Sequence, residues 1–342
     1  METTSIRFSN QQSLSPTAGR PGRSPRRHIW LLAAAIATLV LPTTLRAQDI
    51  VKDALASFPP QTIRLEYSRS SKLRALPNYA RLHQRYVGPW LGKLEASLEQ
   101  IGIREEDVDE LVLGWEAGTG EMNLYGLATG RFNPKTTAQI ADSHSLTPTQ
   151  VAGLPAYCLE AGVAGTCVAV LKESRGAFGK LGSLTSLLEA RSGQGVGLDS
   201  DQRFVKLATE ARSESPIWGV ALGPAVIDWF KGWMPGQTPV ELDWARVFGD
   251  VQSLLYSVDV GSTVGLNLKL NCSGPKAAAS LRQVLEGLKI VQQLAWQSQN
   301  PDRPNPFNSM VVELNDQQVA VKVATDYSAL ENVGVRSAPD PR

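Results

Sequence analysis

The sequence predicts an α+β fold of two tandem ferredoxin-like halves, each with the order β-α-β-β-α-β and one extra strand. Three observations support this prediction. Strand-like and helix-like runs follow the same order in both halves. A Pro-Lys pair opens a helix at Pro134 and again 141 positions later at Pro275, and the strands before the two pairs keep the same spacing. Because a motif that recurs at a fixed offset indicates an internal repeat, we expect two antiparallel sheets with helices on one face, joined by linking helices.

A leader precedes the first of these elements. An apolar run of 13 residues at positions 29–41 follows Arg20, Arg23, Arg26 and Arg27 and is shorter than the roughly 20 residues of a membrane span. Small residues then lead to Ala47, so we expect an export signal that is cleaved after Ala47. Leu45 lies at the third position before this cut, where a small residue is more usual, so an uncleaved N-terminal anchor is an alternative. The pair Arg26-Arg27 keeps the twin-arginine route beside ordinary secretion.

The composition narrows the class of protein. The chain of 342 residues contains 34 Lys and Arg, 33 Asp and Glu, and 42% hydrophobic residues. Such a chain can form a substantial core, which excludes collagen-like, coiled-coil and wholly disordered proteins. Removing residues 1–47 takes away six arginines and one glutamate and leaves 28 basic against 32 acidic side chains, a formal charge of −4. We expect no nucleic acid among its partners, because the basic footprint of a nucleic-acid-binding protein is missing.

One helix start in the first half can be recognised from its residues. Asn133 is a favoured cap, and Pro134 is favoured at the first helical position. An earlier predicted helix is interrupted at Gly88-Pro89. The elements of this half are predicted as strand 62–67, helix 79–101, strands 110–115 and 122–129 joined in a hairpin, a helix from 134, and strands 156–160 and 166–171.

The second half repeats this order and contains the longest predicted helix, residues 275–296. Apolar residues recur there at helical spacing, so one side of this helix must be covered by a sheet. The elements are predicted as strand 217–222, helix 225–233, strands 252–260 and 263–271, helix 275–296, and strands 310–314 and 318–324.

A glycine-rich stretch separates the two halves and indicates a linker between predicted linking helices at 174–190 and 200–212. This sets the predicted organisation of the chain. It consists of a signal peptide at 1–47, a first α+β half at 48–191, a linker at 192–199, a second α+β half at 200–330 and a disordered tail at 331–342.

Export favours a disulfide bond between two of the three cysteines. Cys158 and Cys167 lie in two strand-like runs around Gly162-Val163, and a hairpin centred there places their sulfurs opposite each other. The alternative is a pair of buried thiols. Cys272 is the odd cysteine; we expect a small buried side chain at a strand end, since no base lies near it in the sequence.

Three short segments lie between the strand-rich halves: Ala177-Phe178-Gly179-Lys180-Leu181-Gly182-Ser183, Ser200-Asp201-Gln202-Arg203-Phe204 and Ser215-Pro216-Ile217-Trp218. Together with the leader, they resemble uncharacterised exported bacterial proteins of unknown-function families. The resemblance covers most of the mature chain. It implies a location in the periplasm or outside the cell, and it carries over no functional residue.

No motif in the sequence predicts a reaction centre. His83 and His144 have no second His or Cys at metal-ligand spacing, so we expect surface or loop positions for both and no metal site. The acidic run at 105–110 lacks the alternating carboxylates and central glycine of a calcium loop. Neither a phosphate-binding loop nor a Gly-x-Ser-x-Gly elbow is present. We therefore expect no cofactor and assign no catalytic residue, and whether the protein is an enzyme stays open.

Aromatic residues are concentrated between positions 218 and 248. Trp229, Phe230 and Trp233 are the densest group, and the two tryptophans are four positions apart, on one face of a predicted helix. Core packing is the first interpretation, because aromatic side chains dominate interior packing. If this face is exposed, the three residues form a candidate binding patch for a glycan, a lipid surface or a partner protein.

These features together predict a non-catalytic exported protein that binds or scaffolds in the bacterial cell envelope. Its partner is expected to be an envelope protein, a glycan or a small apolar ligand, held in a cleft between the halves. Membrane contact is expected only through an uncleaved signal or through an outward-facing helix face with Trp229 and Trp233. The alternative is a secreted hydrolase whose polar residues converge between the halves. Clustered carboxylates or a Ser-His contact in a deep cleft would favour this alternative.

Overall fold

The structure, a computed structural model, describes residues 44–80, 83, 89–117, 122–159, 165–233 and 243–330. The apolar run of the predicted signal peptide and the predicted disordered tail lie outside these residues. The same holds for the turns of the two predicted hairpins. Within the described ranges the chain forms twelve strands and ten α-helices.

All twelve strands belong to one sheet, and neighbouring strands are antiparallel. They are β1 (Thr62–Ser68), β2 (Val108–Ala117), β3 (Met122–Gly130), β4 (Thr149–Val151), β5 (Leu154–Cys158), β6 (Thr166–Lys172), β7 (Arg175–Lys180), β8 (Ile217–Leu222), β9 (Val251–Val260), β10 (Val264–Cys272), β11 (Val311–Asn315) and β12 (Gln318–Thr325). The order across the sheet is β11-β12-β10-β9-β8-β1-β2-β3-β7-β6-β5-β4.

The helices connect these strands and pack on the sheet. They are α1 (Thr44–Ser57), α2 (Ser70–Arg74), α3 (Pro89–Glu99), α4 (Pro134–Ser143), α5 (Leu181–Arg191), α6 (Gln202–Ala211), α7 (Pro224–Trp233), α8 (Trp244–Phe248), α9 (Pro275–Gln299) and α10 (Tyr327–Leu330). Three short 3₁₀ turns lie at Glu105–Asp107, Leu198–Ser200 and Pro306–Ser309.

Pairing of β1 with β8 joins the two halves of the chain in one continuous sheet. From this centre the sheet continues through β2, β3 and β7 on one side and through β9, β10 and β12 on the other. The helix after β3 begins at Pro134 and the helix after β10 begins at Pro275. The recurring Pro-Lys pair therefore marks equivalent positions on the two sides of the centre.

The predicted ferredoxin-like strand order is not confirmed. In a split β-α-β unit the first and second strands are parallel and a third strand lies between them. Here the first strand of each half pairs directly and antiparallel with the second, β1 with β2 and β8 with β9. In each half the chain therefore places the second strand directly beside the first, with no other strand between them. The coarser prediction, an α+β fold with a large antiparallel sheet, is confirmed.

Helices cover both faces of the sheet, which corrects the prediction of helices on one face. Successive strand residues point to opposite sides, so Leu65 and Tyr67 lie on one face while Leu111 and Leu113 lie on the other. Because both faces carry apolar side chains, both must be covered. The face with Leu65, which we name the α1 face, is buried by α1, α5 and α6. The opposite face, the α9 face, is covered by α3, α4, α7, α8 and α9.

The linking helix predicted to begin at residue 174 is wrong for its first part, since Arg175–Lys180 form strand β7. β7 pairs with both β3 and β6, so long-range pairing overrides the local sequence signal. Gly179 shows why small residues are needed there: a Cβ at this position would lie 2.8 Å from the Cβ of Tyr125. The helix of this segment, α5, begins at Leu181, one residue after the strand.

The predicted linker at 192–199 follows α5 and runs along the end of α1. The N–H of Leu198 donates a 2.7 Å hydrogen bond to the carbonyl oxygen of Phe58. Gly197 is needed for this approach, since a Cβ there would lie 2.2 Å from the carbonyl oxygen of Ala56. The division of the chain into two halves at residues 192–199 stays a prediction. Strands from both sides of this stretch belong to one sheet.

An ion-pair cluster ties α1 to the sheet. The carboxylate of Asp53 in α1 pairs with Arg191 of α5, and its Oδ2 lies 3.4 Å from Nε of Arg175 in β7. All three side chains are largely buried, so the cluster fixes α1 against both the strand and the neighbouring helix. The predicted cleavage point, after Ala47, lies within α1 and before Asp53 in the sequence. A chain cut there keeps the carboxylate.

Candidate functional site

The strand register places one row of side chains across nine strands of the α9 face. Directly opposite residues in antiparallel strands point to the same side, so each pairing extends the row. Eight strand spacings of about 4.8 Å give the row a length of about 38 Å. Its members are Val170, Gly176, Ala128, Leu111, Ser68, Ile217, Val258, Leu266 and Val323.

A second row, two residues along each strand, contains the polar centre of the sheet. The hydroxyl of Tyr256 in β9 donates a 2.5 Å hydrogen bond to Oε2 of Glu66 in β1. Nη2 of Arg64 donates to the same oxygen at 2.8 Å. Burial raises the pKa of Tyr256 well above its ordinary value, so the phenol stays protonated and remains a donor.

A cavity of about 750 Å³ lies between the α9 face and the helices that cover it. Eight of the nine residues of the first row line it, and residues of α7, α8 and α9 also contribute to its lining. Several of these aliphatic side chains, among them Leu111, Ile217 and Leu266, are only half-buried. The lining also includes the exposed residues Arg104 and Gly232, so the cavity reaches the protein surface.

The predicted aromatic patch forms part of this cavity wall. Trp229 and Phe230 are 1% and 7% exposed, so these two residues form no outward-facing surface, and both line the cavity. The ring of Phe230 stacks on that of Phe248 at 4.1 Å between centroids, and Trp229 lies 4.9 Å from Tyr256. The side chain of Trp233 lies outside the described part of the chain. A binding role of the three residues stays a prediction.

One buried amide in the cavity wall has an unused donor. Gln292 of α9 is 8% exposed and lines the cavity, and its Nε2 has no hydrogen-bond partner within the described ranges. A buried donor without a partner costs about 1–3 kcal/mol, so such groups usually have a partner in the functional state. Lys289 lines the cavity one turn earlier, and its ammonium donates to the carbonyl oxygen of Met310 at 2.5 Å. This wall therefore offers hydrogen-bond donors to a bound molecule.

A second polar group of residues lines the cavity beside α3. Nε2 of His83 lies 3.0 Å from Oε1 of Glu95 and 3.7 Å from Oε2 of Glu105. The hydroxyl of Tyr79 donates to Oε1 of Glu105. Burial raises the pKa of Glu95, and the hydrogen bond from His83 opposes this rise. Burial also raises the pKa of Tyr79 far above its ordinary value, so the phenol is a donor.

The sequence analysis treated His83 as a surface or loop residue and did not connect it with the two carboxylates. Glu95 lies beyond the helix break at Pro89, and Glu105 lies in the 3₁₀ turn before β2. No spacing motif joins the three positions, because the fold brings them together. His144, the other histidine of the predicted mature chain, is exposed at the end of α4.

The cysteines lie as predicted. Cys158 and Cys167 are directly paired in β5 and β6 and form a disulfide bond. Cys272 is a free, buried thiol at the end of β10, and burial raises its pKa, which keeps it protonated. It lies under α9 among apolar side chains. A nucleophilic role for Cys272 has no support in this environment.

The fold and the site together define an α+β protein with a single wide antiparallel sheet, covered on both faces, and an apolar cavity on one of them. This fold is similar to that of TP0453. A structure of TP0453 in crystal form III matches with a TM-score of 0.51 at 11% identity, covering 82% of this chain and 96% of that chain. Crystal form I matches with a TM-score of 0.50 at 10% identity, covering 82% and 95%. At these identities the similarity establishes the fold alone.

No protein-family model and no curated protein matches the sequence. In the part of the chain that the structure describes, no helix combines the length and the apolar character needed to cross a membrane.

Proposed function

We propose that this chain is an exported binding protein that holds the acyl chain of a lipid or similar amphiphile in the cavity on the α9 face. The observation that carries the proposal is the cavity itself: about 750 Å³, lined mainly by aliphatic and aromatic side chains, with a few polar groups in its wall. Binding sites for small molecules have volumes of roughly 300–1,000 Å³ and this type of lining.

The size of the cavity favours an occupant. Protein interiors are close-packed, and voids larger than a water molecule are few. This cavity reaches the protein surface, so in solution it holds either water or a bound molecule. Its apolar lining favours an apolar occupant over water.

The shape of the cavity fits an elongated molecule. The part of the row that lines the cavity forms its floor and spans seven strand spacings, or about 34 Å. The hydrocarbon core of a bilayer, which two layers of acyl chains fill, is about 30 Å thick. One long acyl chain therefore fits along the floor, and the floor has room for a second. The unused donor of Gln292 and the ammonium of Lys289 are placed to contact oxygens of a carboxyl or ester group.

Two further observations support export. The disulfide between Cys158 and Cys167 is typical of proteins in oxidising compartments, such as the periplasm or the cell exterior. The leader at residues 1–47 has the order of a signal peptide. We propose that cleavage after Ala47 releases the chain there and that the amphiphile is a component of the cell envelope.

The test is direct recovery and measurement of the ligand. The full chain is expressed with its leader, purified from the periplasm without detergent, and extracted with organic solvent for mass spectrometry. We expect an acyl-chain lipid at about one molecule per chain. In parallel, N-phenyl-1-naphthylamine binds the delipidated protein with a fluorescence increase, and long-chain fatty acids displace it. Recovery of a glycan or an envelope protein with an empty cavity would contradict the proposal.

A matched pair of variants locates the binding. Ile217→Trp inserts an indole into the middle of the cavity floor, whereas Val311→Trp makes a similar change on the exposed edge strand β11. We expect Ile217→Trp to weaken fatty-acid binding at least about tenfold, or about 1.4 kcal/mol, and Val311→Trp to change it less than about twofold. Circular dichroism checks that both variants fold. Equal binding by the two variants would exclude the cavity.

A second candidate function, the secreted hydrolase, is favoured by one observation. Glu95 and Glu105 lie beside His83 in the cavity wall, and clustered carboxylates in a cleft are typical of hydrolytic sites. The test is hydrolysis of p-nitrophenyl esters of increasing chain length by the purified chain. Activity that His83→Ala removes would support this candidate, and the absence of turnover for every chain length would exclude it for esters.

A further inference from the structure

We infer that His83, Glu95 and Glu105 form a binding site for a divalent transition-metal ion, with Zn²⁺ the best match, in the wall of the cavity. The inference goes beyond the proposed binding of an amphiphile and does not depend on it. Within the described residues, these three are a set of His, Cys, Asp and Glu side chains whose ligand atoms all lie within 4.8 Å of one another.

The distances between the candidate ligand atoms fit a small coordination sphere. Ligands about 2.0–2.1 Å from a tetrahedral Zn²⁺ are about 3.3–3.4 Å from each other. Nε2 of His83 lies 3.0 Å from Oε1 of Glu95 and 3.7 Å from Oε2 of Glu105, on either side of that value. These two separations are close to the tetrahedral value. The ligand atoms of Glu95 and Glu105 lie within 4.8 Å of each other.

The charges of the site also favour a cation. Two carboxylates, those of Glu95 and Glu105, face one imidazole. Two arginines of the described residues nearby have other partners. Arg74 donates to main-chain oxygens of Glu105 and Glu106, and Arg104 pairs with the Glu106 side chain. A divalent ion would neutralise both carboxylates at once.

The types of ligand select the ion. One imidazole nitrogen with two carboxylate oxygens suits Zn²⁺ and related transition metals, whereas Ca²⁺ and Mg²⁺ prefer oxygen ligands alone. The hydroxyl of Tyr79 donates to Glu105 and orients that carboxylate, as outer hydrogen-bond partners do in metal sites. All three ligands line the cavity, so an ion held by them is accessible from it.

The test measures metal binding by the purified mature chain without a histidine tag, after removal of metal with EDTA. Isothermal titration with ZnCl₂ is expected to give about one ion per chain. His83→Ala and the conservative Glu95→Gln should each weaken binding at least about tenfold. The matched control is His144→Ala, which removes the exposed histidine and should change the affinity less than about twofold. A mainly structural role of His83 would not produce this difference in affinity.

Cobalt provides a second readout that does not rely on affinity alone. Co²⁺ in a protein site of low coordination number absorbs visible light, and we expect this absorption in the wild type and in His144→Ala but not in Glu95→Gln. Circular dichroism and binding of N-phenyl-1-naphthylamine by the metal-free protein check the fold and the apolar cavity separately. The same weak Zn²⁺ binding by wild type, His83→Ala and Glu95→Gln would overturn the inference and leave His83, Glu95 and Glu105 as a hydrogen-bonded cluster only, whatever the cavity binds.

Discussion

The hydroxyl of Tyr256 reaches Glu66 across the full width of strand β8, because the residue between them, Gly219, has no side chain. A Cβ at Gly219 would lie 2.4 Å from the Tyr256 hydroxyl oxygen and 2.6 Å from the carbonyl oxygen of Leu65. Tyr256 in turn supports Trp229 in the cavity wall, at 4.9 Å between ring centroids. One glycine therefore positions both the polar centre of the sheet and an aromatic side chain of the cavity.

This relationship predicts that Gly219→Ala destabilises the protein. The added methyl group meets a main-chain oxygen that cannot move away, so we expect a loss of about 1–3 kcal/mol in the free energy of unfolding, measured in urea. The matched control is Gly265→Ala in β10, where the nearest atom to an added Cβ is 3.6 Å away. The control should change stability by less than about 0.5 kcal/mol. Equal effects of the two substitutions would contradict the prediction.

A second prediction concerns alkaline pH. Burial raises the pKa of Tyr67 to about 12, and its hydroxyl donates to Oε1 of the buried Glu110 at 2.7 Å. The unfolded chain releases this proton near pH 10, so the contribution of Tyr67 is complete below pH 10 and is lost as pH rises from 10 through 12. We expect the free energy of unfolding to fall over this range, and Tyr67→Phe to make the fall less steep. An unchanged slope in the variant would show that Tyr67 does not titrate in this way.

The ion-pair cluster of α1 leads to a third prediction. Asp53→Ala leaves the largely buried guanidinium groups of Arg175 and Arg191 without this carboxylate. Removing one partner of a buried pair costs about 3–5 kcal/mol, and the partial exposure of this cluster lowers our expectation to about 2–3 kcal/mol. The control is Glu313→Ala, which breaks the exposed pair with Lys322 and should cost at most about 1 kcal/mol. A loss for Asp53→Ala no larger than for the control would refute a buried anchoring role.

The disulfide between Cys158 and Cys167 predicts both the number of free thiols and a loss of stability on reduction. The unfolded, unreduced chain should titrate one thiol, Cys272, and the reduced chain should titrate all three cysteines. The bond between Cys158 and Cys167 closes a loop with a sequence separation of 9, so reduction should cost about 2.7 kcal/mol of stability. Three thiols in the unreduced periplasmic protein would show that the bond does not form there.

Gln292→Leu separates stability from binding. The substitution removes a buried amide whose nitrogen has no partner in the described residues, so stability should stay the same or rise by up to about 1 kcal/mol. Fatty-acid affinity should fall severalfold, because the ligand loses a hydrogen-bond donor. Thermal unfolding and displacement of the fluorescent probe measure the two effects. A clear loss of stability would show that the amide has a structural partner instead.

Structural features that depend on neighbouring residues could be predicted from the sequence. Asn133 accepts hydrogen bonds from the N–H groups of Lys135 and Thr136, and Pro134 begins α4 as predicted. Strand β3, predicted at 122–129, ends at Gly130. The opposed positions of Cys158 and Cys167 also follow from a short hairpin. Each of these features depends on residues close together in the chain.

Features that depend on distant residues were missed. Nothing near β1 indicates that it pairs with β8, some 150 residues later, and this pairing replaces the two separate sheets of the prediction with one. The second covered face was also missed, because no helix was predicted where α1 lies. In the site, Trp229 was singled out, but His83 and Glu105 come together only through the packing of α3 and the turn before β2.

The central position of β1 in the sheet has a consequence for the nascent chain. During synthesis, β1 emerges about 150 residues before β8, so one side of its backbone has no partner strand for most of translation. An unpaired strand edge readily associates with other chains. A chaperone that keeps the nascent polypeptide unfolded until Leu222 has been synthesised would prevent this association. Export of the chain in an unfolded state would have the same effect, because β1 and β8 would then become available for pairing together.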